Sequence, residues 1–182
     1  MVSNRRSFLR GAGAALFAGI GPGLVRPAFA GFSGAQARSL SLDNLHTGEK
    51  LKVDYWAGGD YVADALSEIN RVLRDFRTGE VHPIEPKLLD LLAVLRARLE
   101  STEPLAIISG YRSPKTNTAL REASSGVASQ SLHMKGMAID IRIPGRPLAS
   151  LHAAALDMRS GGVGYYPKSN FVHVDVGRVR RW

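Results

Sequence analysis

Ser131-Leu132-His133-Met134-Lys135-Gly136-Met137-Ala138-Ile139-Asp140-Ile141 and its distant counterpart Phe171-Val172-His173-Val174-Asp175-Val176 decide how this chain is read. In the first stretch Ile139, Ile141 and Ile143 fall on one face of a strand, so Asp140 points to the other. In the second, the three valines share one face and His173 and Asp175 share the opposite one. If the two strands are neighbours, Asp140 and His173 converge, and His133 arrives from the turn before the first strand. Two imidazoles and a carboxylate suit a catalytic zinc, which takes three protein ligands and leaves a fourth position to water. Spacing alone supports metal binding and a set of structural histidines about equally, because short patterns recur by chance.

The totals narrow the alternatives. A chain of 182 residues is long enough for one domain with its own core. The absence of cysteine excludes disulfides, thiolate metal sites and a cysteine nucleophile. The formal charge of +8 is unevenly placed, because Arg5, Arg6, Arg10 and Arg26 lie in a stretch without a single acid. The remainder holds 20 basic against 16 acidic side chains and no basic stripe interleaved with aromatics, so nucleic acid is not an expected partner.

Asn4-Arg5-Arg6-Ser7-Phe8-Leu9-Arg10 precedes the small apolar run from Gly11 to Val25 and then Ala28-Phe29-Ala30. A charged start, an apolar middle and an A-x-A ending form an export signal cleaved after Ala30. The paired arginines before Phe8-Leu9 resemble a twin-arginine signal, with Asn4 where Ser or Thr is more usual. The run is broken by Pro22 and is shorter than the ~20 apolar residues of a spanning helix, so no stable membrane anchor is expected after cleavage. Residues 1–30 are thus expected to be an address and 31–182 the working domain.

Within that domain, Leu40 and Leu42, the turn at Thr47-Gly48 and Leu51 to Trp56 predict a hairpin. Asp60 is an N-cap candidate for a helix over Tyr61 to Arg77, with Val62, Leu66, Ile69, Leu73 and Phe76 inward. Lys87 to Glu100 predicts a second helix lined by leucines, and neither helix is expected to carry a polar cluster on its apolar face. Leu105 to Ile108 reads as a central strand ending in Ser109-Gly110-Tyr111-Arg112-Ser113-Pro114, a setting in which a rigid sheet positions working residues. Helices are expected over Thr116 to Ala123 and Leu148 to Met158, and strands at Gly161 to Tyr166 and Phe171 to Val176. The sum is one α+β domain, a central antiparallel sheet with flanking helices. His46, His82 and His152 read as structural.

The blocks Ser109 to Ser113, Ser131 to Asp140 and Gly161 to Asp175, in that order, resemble the YcbK/MepK-type murein endopeptidases. These belong with the zinc D-Ala-D-Ala carboxypeptidase superfamily, whose fold the Hedgehog signalling domain shares. The resemblance runs from about Leu45 to Trp182. It implies a periplasmic zinc metallopeptidase that cuts peptidoglycan stem-peptide cross-links, as an L,D-endopeptidase on meso-diaminopimelate 3-3 bonds. D,D-carboxypeptidase or D,D-endopeptidase action on the same scaffold is the nearest alternative, and a non-catalytic zinc-containing wall-binding module is another. By position, His133, Asp140 and His173 match the zinc ligands, and Arg112 matches the arginine that stabilises the tetrahedral intermediate. Superfamily members often carry a basic carboxylate three residues before the last histidine, where this chain has Asn170. Asp175 is the nearest candidate for that base, and orienting His173 through its free ring nitrogen is its equally supported alternative. Gly161 to Gly164 with Tyr165-Tyr166 are expected to wall the cleft, and Arg112, Lys135, Arg142 and Lys168 to favour carboxylate-rich peptides.

Overall fold

The computed structural model describes residues 37–124 and 126–182, so the expected export signal lies outside the described residues. Alternating Leu40 and Leu42 build strand β1 (Arg38–Asn44), and both are buried. The Asn44 side chain accepts the backbone N–H groups of His46 and Thr47, which tightens the turn. The chain then returns antiparallel as β2 (Lys50–Ala57), the hairpin the sequence predicts. Gly58 and Gly59 both adopt positive φ and fold the chain straight back, so β3 (Asp60–Tyr61) pairs with the end of β2. Asp60 is therefore a strand residue rather than an N-cap, and helix α1 runs Ala63–Val72.

That helix also stops earlier than its apolar spacing predicts, for a tertiary reason. The Val72 carbonyl accepts the Asn44 side-chain amide at 2.8 Å, and the Leu73 carbonyl accepts the Tyr111 N–H at 2.8 Å. Carbonyls bonded to neighbouring elements no longer continue the helical ladder. Helix α2 (Pro86–Arg98) starts on Glu85 and buries Leu88, Leu89, Leu91, Leu92 and Leu95. One polar group among them departs from the expected apolar face. Buried Asp90 accepts the hydroxyls of Tyr55 (3.0 Å) and Tyr61 (2.8 Å) and the Arg38 guanidinium (2.7 Å). Four groups from the hairpin and the helix satisfy one another, so the carboxylate is buried fully hydrogen-bonded.

The remaining elements are β4 (Leu105–Ser109), α3 (Pro114–Ala123), a single 3₁₀ turn (Leu132–Lys135) and β5 (Ala138–Arg142). They are followed by α4 (Leu148–Met158), β6 (Gly162–Tyr166), β7 (Phe171–Asp175) and β8 (Arg180–Arg181). The strands form one eight-stranded sheet in the order β3-β2-β1-β4-β5-β7-β6-β8. Most pairs are antiparallel as expected, but β1 with β4 and β6 with β8 are parallel, so the sheet is mixed. The β1–β4 pair can be parallel because β2, β3, α1 and α2 supply the long crossover such a pairing requires.

Helices α1, α2 and α4 pack on one side of the sheet. Ile107, Ile139, Ile141, Val172 and Val174 point into that layer and are essentially fully buried. The alternate residues of β5 and β7 face away from it. Asp140 stands directly opposite His173 in the antiparallel register, on the face without the core. Among the described residues no helix is long and apolar enough to cross a membrane.

Candidate metal centre

Three elements deliver the three candidate ligands. The strand pair places Asp140 and His173 side by side. The 3₁₀ turn, capped by Ser131 Oγ on the His133 N–H and closed by left-handed Gly136, turns His133 toward them. A side chain at Gly136 would collide with the Pro83 carbonyl, so this closure needs glycine. His133 Nε2 lies 3.2 Å from His173 Nδ1 and 3.3 Å from Asp140 Oδ1, and His173 Nδ1 lies 2.9 Å from the same oxygen. All three side chains are buried.

The outer ring nitrogens decide what those inner atoms are. His133 Nδ1 is 2.7 Å from the Gly110 carbonyl, which can only accept, so Nδ1 carries the proton and Nε2 presents a lone pair. His173 Nε2 is 3.1 Å from the Asp175 carboxylate, which fixes its proton there and leaves Nδ1 as the inner lone pair. Two lone pairs and a carboxylate oxygen thus converge in a triangle with edges near 3 Å, an arrangement that a cation stabilises. Zinc with ~2.0–2.1 Å bonds in tetrahedral geometry spaces its ligand atoms about 3.3 Å apart, so the residues fit such a metal. A proton competes with a cation for this triangle. In that protonated form burial opposes charge on Asp140, but the attraction of His133 and hydrogen bonds from the imidazoles hold its carboxyl below the usual range. Burial likewise opposes protonation of His173, and its bonds to Asp140 and Asp175 outweigh it and raise the imidazole.

Arg112 reaches the same point from the end of β4, where Ser109 pairs with Asp140. Its loop is fastened on both sides: Arg112 N–H donates to the His133 carbonyl, and Gly110 passes so close to Leu73 that an added Cβ would lie 2.5 Å from its carbonyl oxygen. Asp75 accepts both the N–H (2.9 Å) and the hydroxyl (2.6 Å) of Ser113, and Tyr111 donates to Glu80 at 2.6 Å. So held, Arg112 Nη2 stands 3.8 Å from Asp140 Oδ2 and Nη1 3.4 Å from Asn117 Oδ1, while its buried Nε has no hydrogen-bond partner.

Asp75 also gives this loop a pH signature. Burial disfavours its charge, but bonds from Ser113, Thr116 and the Arg77 backbone bring its carboxyl down to about 2. A depressed folded-state value stabilises above the unfolded value near 3.8 and is lost as pH falls toward 2. Asp75→Asn is therefore expected to lose about 2 kcal/mol at pH 7 and to flatten the fall in stability between pH 4 and 2. Urea melts of both proteins across that range check it.

Asp175 is fully buried behind His173 and away from the cleft. Besides His173 it accepts Arg180 Nη2 (2.7 Å) and Nη1 (3.1 Å) and the N–H groups of Gly162 (2.9 Å) and Gly177 (2.8 Å). Burial works against its ionisation, and these donors together hold it well below the usual carboxylate range. The glycines of the Gly161 to Gly164 stretch are explained by the same packing. A side chain at Gly162 would strike the Asp175–Arg180 pair, and one at Gly164 would come within 2.7 Å of the Trp182 ring. Asn170 is exposed in the β6–β7 turn at φ +53, a left-handed conformation that Asn tolerates better than most residues. It is not among the residues that line the cleft, although its neighbours Ser169 and Phe171 are.

The ligand triangle opens into a cleft of about 480 Å³. Arg112, Ser131, Tyr166, Phe171, Arg180 and Trp182 are among its walls. Of the expected wall only Tyr166 contributes; Tyr165 points to the other face and stacks on His152 at 4.6 Å. Of the four expected cations only Arg112 lines the cleft, and Lys135, Arg142 and Lys168 do not. His46 stacks on Phe76 and His82 meets the Tyr111 ring edge-to-face, contacts in keeping with structural histidines. Arg180 and Trp182 are additions that sequence reasoning passes over. Their only trace in the sequence is the glycine spacing they require on β6.

Residues 32–182 match a family model described as peptidoglycan L,D-endopeptidase MepK. The chain is 47% identical over 180 residues to the peptidoglycan L,D-endopeptidase MepK of Escherichia coli K12, covering 99% of this chain and 97% of that protein. The Shigella flexneri protein of the same name matches equally well. A probable peptidoglycan L,D-endopeptidase MepK of Haemophilus influenzae is 39% identical over 180 residues, 98% of this chain and 95% of its own length. With sequence blocks, fold and candidate ligands lying inside the matched span, the chain belongs to the peptidoglycan L,D-endopeptidase MepK family.

Proposed function

We propose that this chain is a zinc-dependent peptidase that hydrolyses peptidoglycan cross-links, acting as an L,D-endopeptidase on meso-diaminopimelate 3-3 bonds. The observation that carries it is the triangle of inner ligand atoms of His133, Asp140 and His173 at the base of an open cleft beside Arg112. Zinc held by those residues supplies a Lewis acid for the scissile carbonyl and brings the pKa of water down to ~7.

The protein's own groups do the rest. The Gly110 carbonyl and Asp175 fix the tautomers of His133 and His173, so both imidazoles present a lone pair to the centre. Arg112, permanently charged and forked, neutralises the oxyanion that grows as the carbonyl carbon becomes tetrahedral. Tyr166, Phe171 and Trp182 give the peptide an apolar wall and limit the water around the reacting bond. Asp175 acts in this reading as an orienting group. Asp175→Asn is expected to weaken zinc affinity by about 10- to 100-fold, because a weaker acceptor no longer holds the His173 proton outward. Competition with a chelating dye measures that.

Residues 1–30 are read as an export signal cleaved after Ala30, carrying the folded domain of residues 31–182 to the periplasm by the twin-arginine route. The test of the activity uses purified wall material and mass spectrometry of the muropeptides. Chelator-sensitive loss of 3-3 cross-linked dimers is expected. Loss of 4-3 dimers or terminal D-Ala instead would move the assignment to a D,D-specific enzyme, and no cleavage by zinc-loaded protein would leave a wall-binding module.

A further inference from the structure

We propose that Tyr166 donates the proton to the leaving amine, and that the Trp182 indole holds its hydroxyl in place for that step; the proposal rests on the peptidase reading above. Amide hydrolysis needs an acid, since an amine departs from a tetrahedral carbon only when its nitrogen is protonated. Among the described residues the only carboxylate lining the cleft is Asp140, which belongs to the ligand triangle. Asp175 is sealed behind His173 with all its donors in place, and Asn170 lies outside. The O–H groups that remain are those of Ser124, Ser131, Ser169 and Tyr166. A phenol, unlike an aliphatic hydroxyl, is acidic enough to exchange a proton with an amine.

The sheet places that phenol in the wall of the cleft that holds the ligand triangle. Gly164 pairs with His173 and Tyr166 with Phe171, so Tyr166 lies on the His173 face as its diagonal neighbour, a spacing that long side chains span. Its ring is held against Phe171, with centroids 4.5 Å apart. Opposite His173, where Gly164 has no side chain, the Trp182 ring fills the space 5.2 Å from the imidazole. Trp182 is fixed there by backbone bonds to Val163 and Tyr165, with the Arg180 guanidinium 4.9 Å over its ring. From this position Trp182 Nε1 donates to the Tyr166 oxygen at 2.6 Å. An indole can only donate, so the bond leaves the phenol proton uncommitted. It also stabilises the negative charge left on oxygen as that proton departs.

The step balances. The water oxygen bonds to the carbonyl carbon, the C–N bond breaks, and the Tyr166 proton goes to nitrogen with the departing electron pair. The proton surplus from the water returns to the phenolate, so peptide and water become acid and amine with Tyr166 restored.

Tyr166→Phe keeps the stacked ring and removes only the hydroxyl. Its kcat on 3-3 cross-linked muropeptides is expected to fall about 100-fold or more. KM, zinc content and the affinity of chelator-stripped protein for the same muropeptide should stay within about twofold of the parent. Trp182→Phe, which keeps a ring but loses the N–H, should lower kcat by about tenfold, and the double variant should be no slower than Tyr166→Phe alone. On an aryl ester of the same acyl group, whose phenolate leaves unprotonated, the Tyr166→Phe deficit should shrink to under about threefold. A deficit equal on ester and amide, one confined to KM and affinity, or a Tyr166→Phe kcat close to the parent's would each overturn the proposal. Failure of the parent protein to cleave either substrate would instead remove the peptidase reading beneath it.

Discussion

His133→Ala is expected to abolish zinc retention and hydrolysis together while leaving a folded protein. The loss of activity should reach at least about three orders of magnitude, since a metal supplies several kcal/mol of transition-state stabilisation. The fold should survive because of where the residue sits. His133 is on a 3₁₀ turn over the face of the sheet opposite the helices, and the isoleucines and valines of β5 and β7 pack on the other side. Removing its imidazole frees the Gly110 carbonyl and the inner atoms of Asp140 and His173, and the last two line a cleft that water can enter. Metal analysis of purified protein, muropeptide assay and a urea melt test the three parts separately. Zinc at one equivalent in the alanine variant would remove His133 from the ligand set. A chelated parent protein that unfolds globally would make the metal a structural element rather than a working one.

The meeting of Asp140 with His173 is legible in the sequence because side chains on a strand alternate strictly. Once Ile139, Ile141, Val172 and Val174 are assigned to the core, the two polar residues have only one face left, and the observed register pairs them. Helix ends are less legible. The apolar spacing of α1 continues to Phe76, but Asn44 and Tyr111 take the carbonyls of Val72 and Leu73, and neither partner can be read from the helix itself. Asp90 is hidden for the same reason. In sequence it is one acid in a leucine-rich helix, and its three donors arrive from a hairpin about 30 to 50 residues away. The role of Asp175 stays open in the sequence because strand alternation gives its face but not its depth. Its neighbours Gly162, Gly177 and Arg180 supply that depth. Trp182 and Arg180 reach the cleft only through a two-residue strand parallel to β6, which is too short to leave a periodic pattern.

Arg112→Ala should separate chemistry from metal binding in a way the histidine variant cannot. The guanidinium stands 3.8 Å from Asp140 Oδ2, whereas both imidazoles meet the other oxygen, Oδ1. Deleting it removes a positive charge near the centre, which if anything favours a bound cation, so zinc content is expected to stay at the parent level. The oxyanion loses its protein partner, and kcat should fall by about 10²- to 10³-fold, the usual cost of removing one such donor. Burial lowers the affinity of Arg112 for its proton, but a guanidinium starts so high that it remains charged across any working pH. The alkaline limb of the pH–rate profile should therefore not report this residue. Arg112→Lys tests whether charge alone is enough. An ammonium on a flexible stem restores the sign but not the fork, whose two arms lie toward Asn117 and Asp140. Partial recovery of kcat, to within about tenfold of the alanine variant, is the expected result. Full recovery by lysine would mean that the site needs only a positive charge at this distance, and full activity of the alanine variant would take Arg112 out of the reaction.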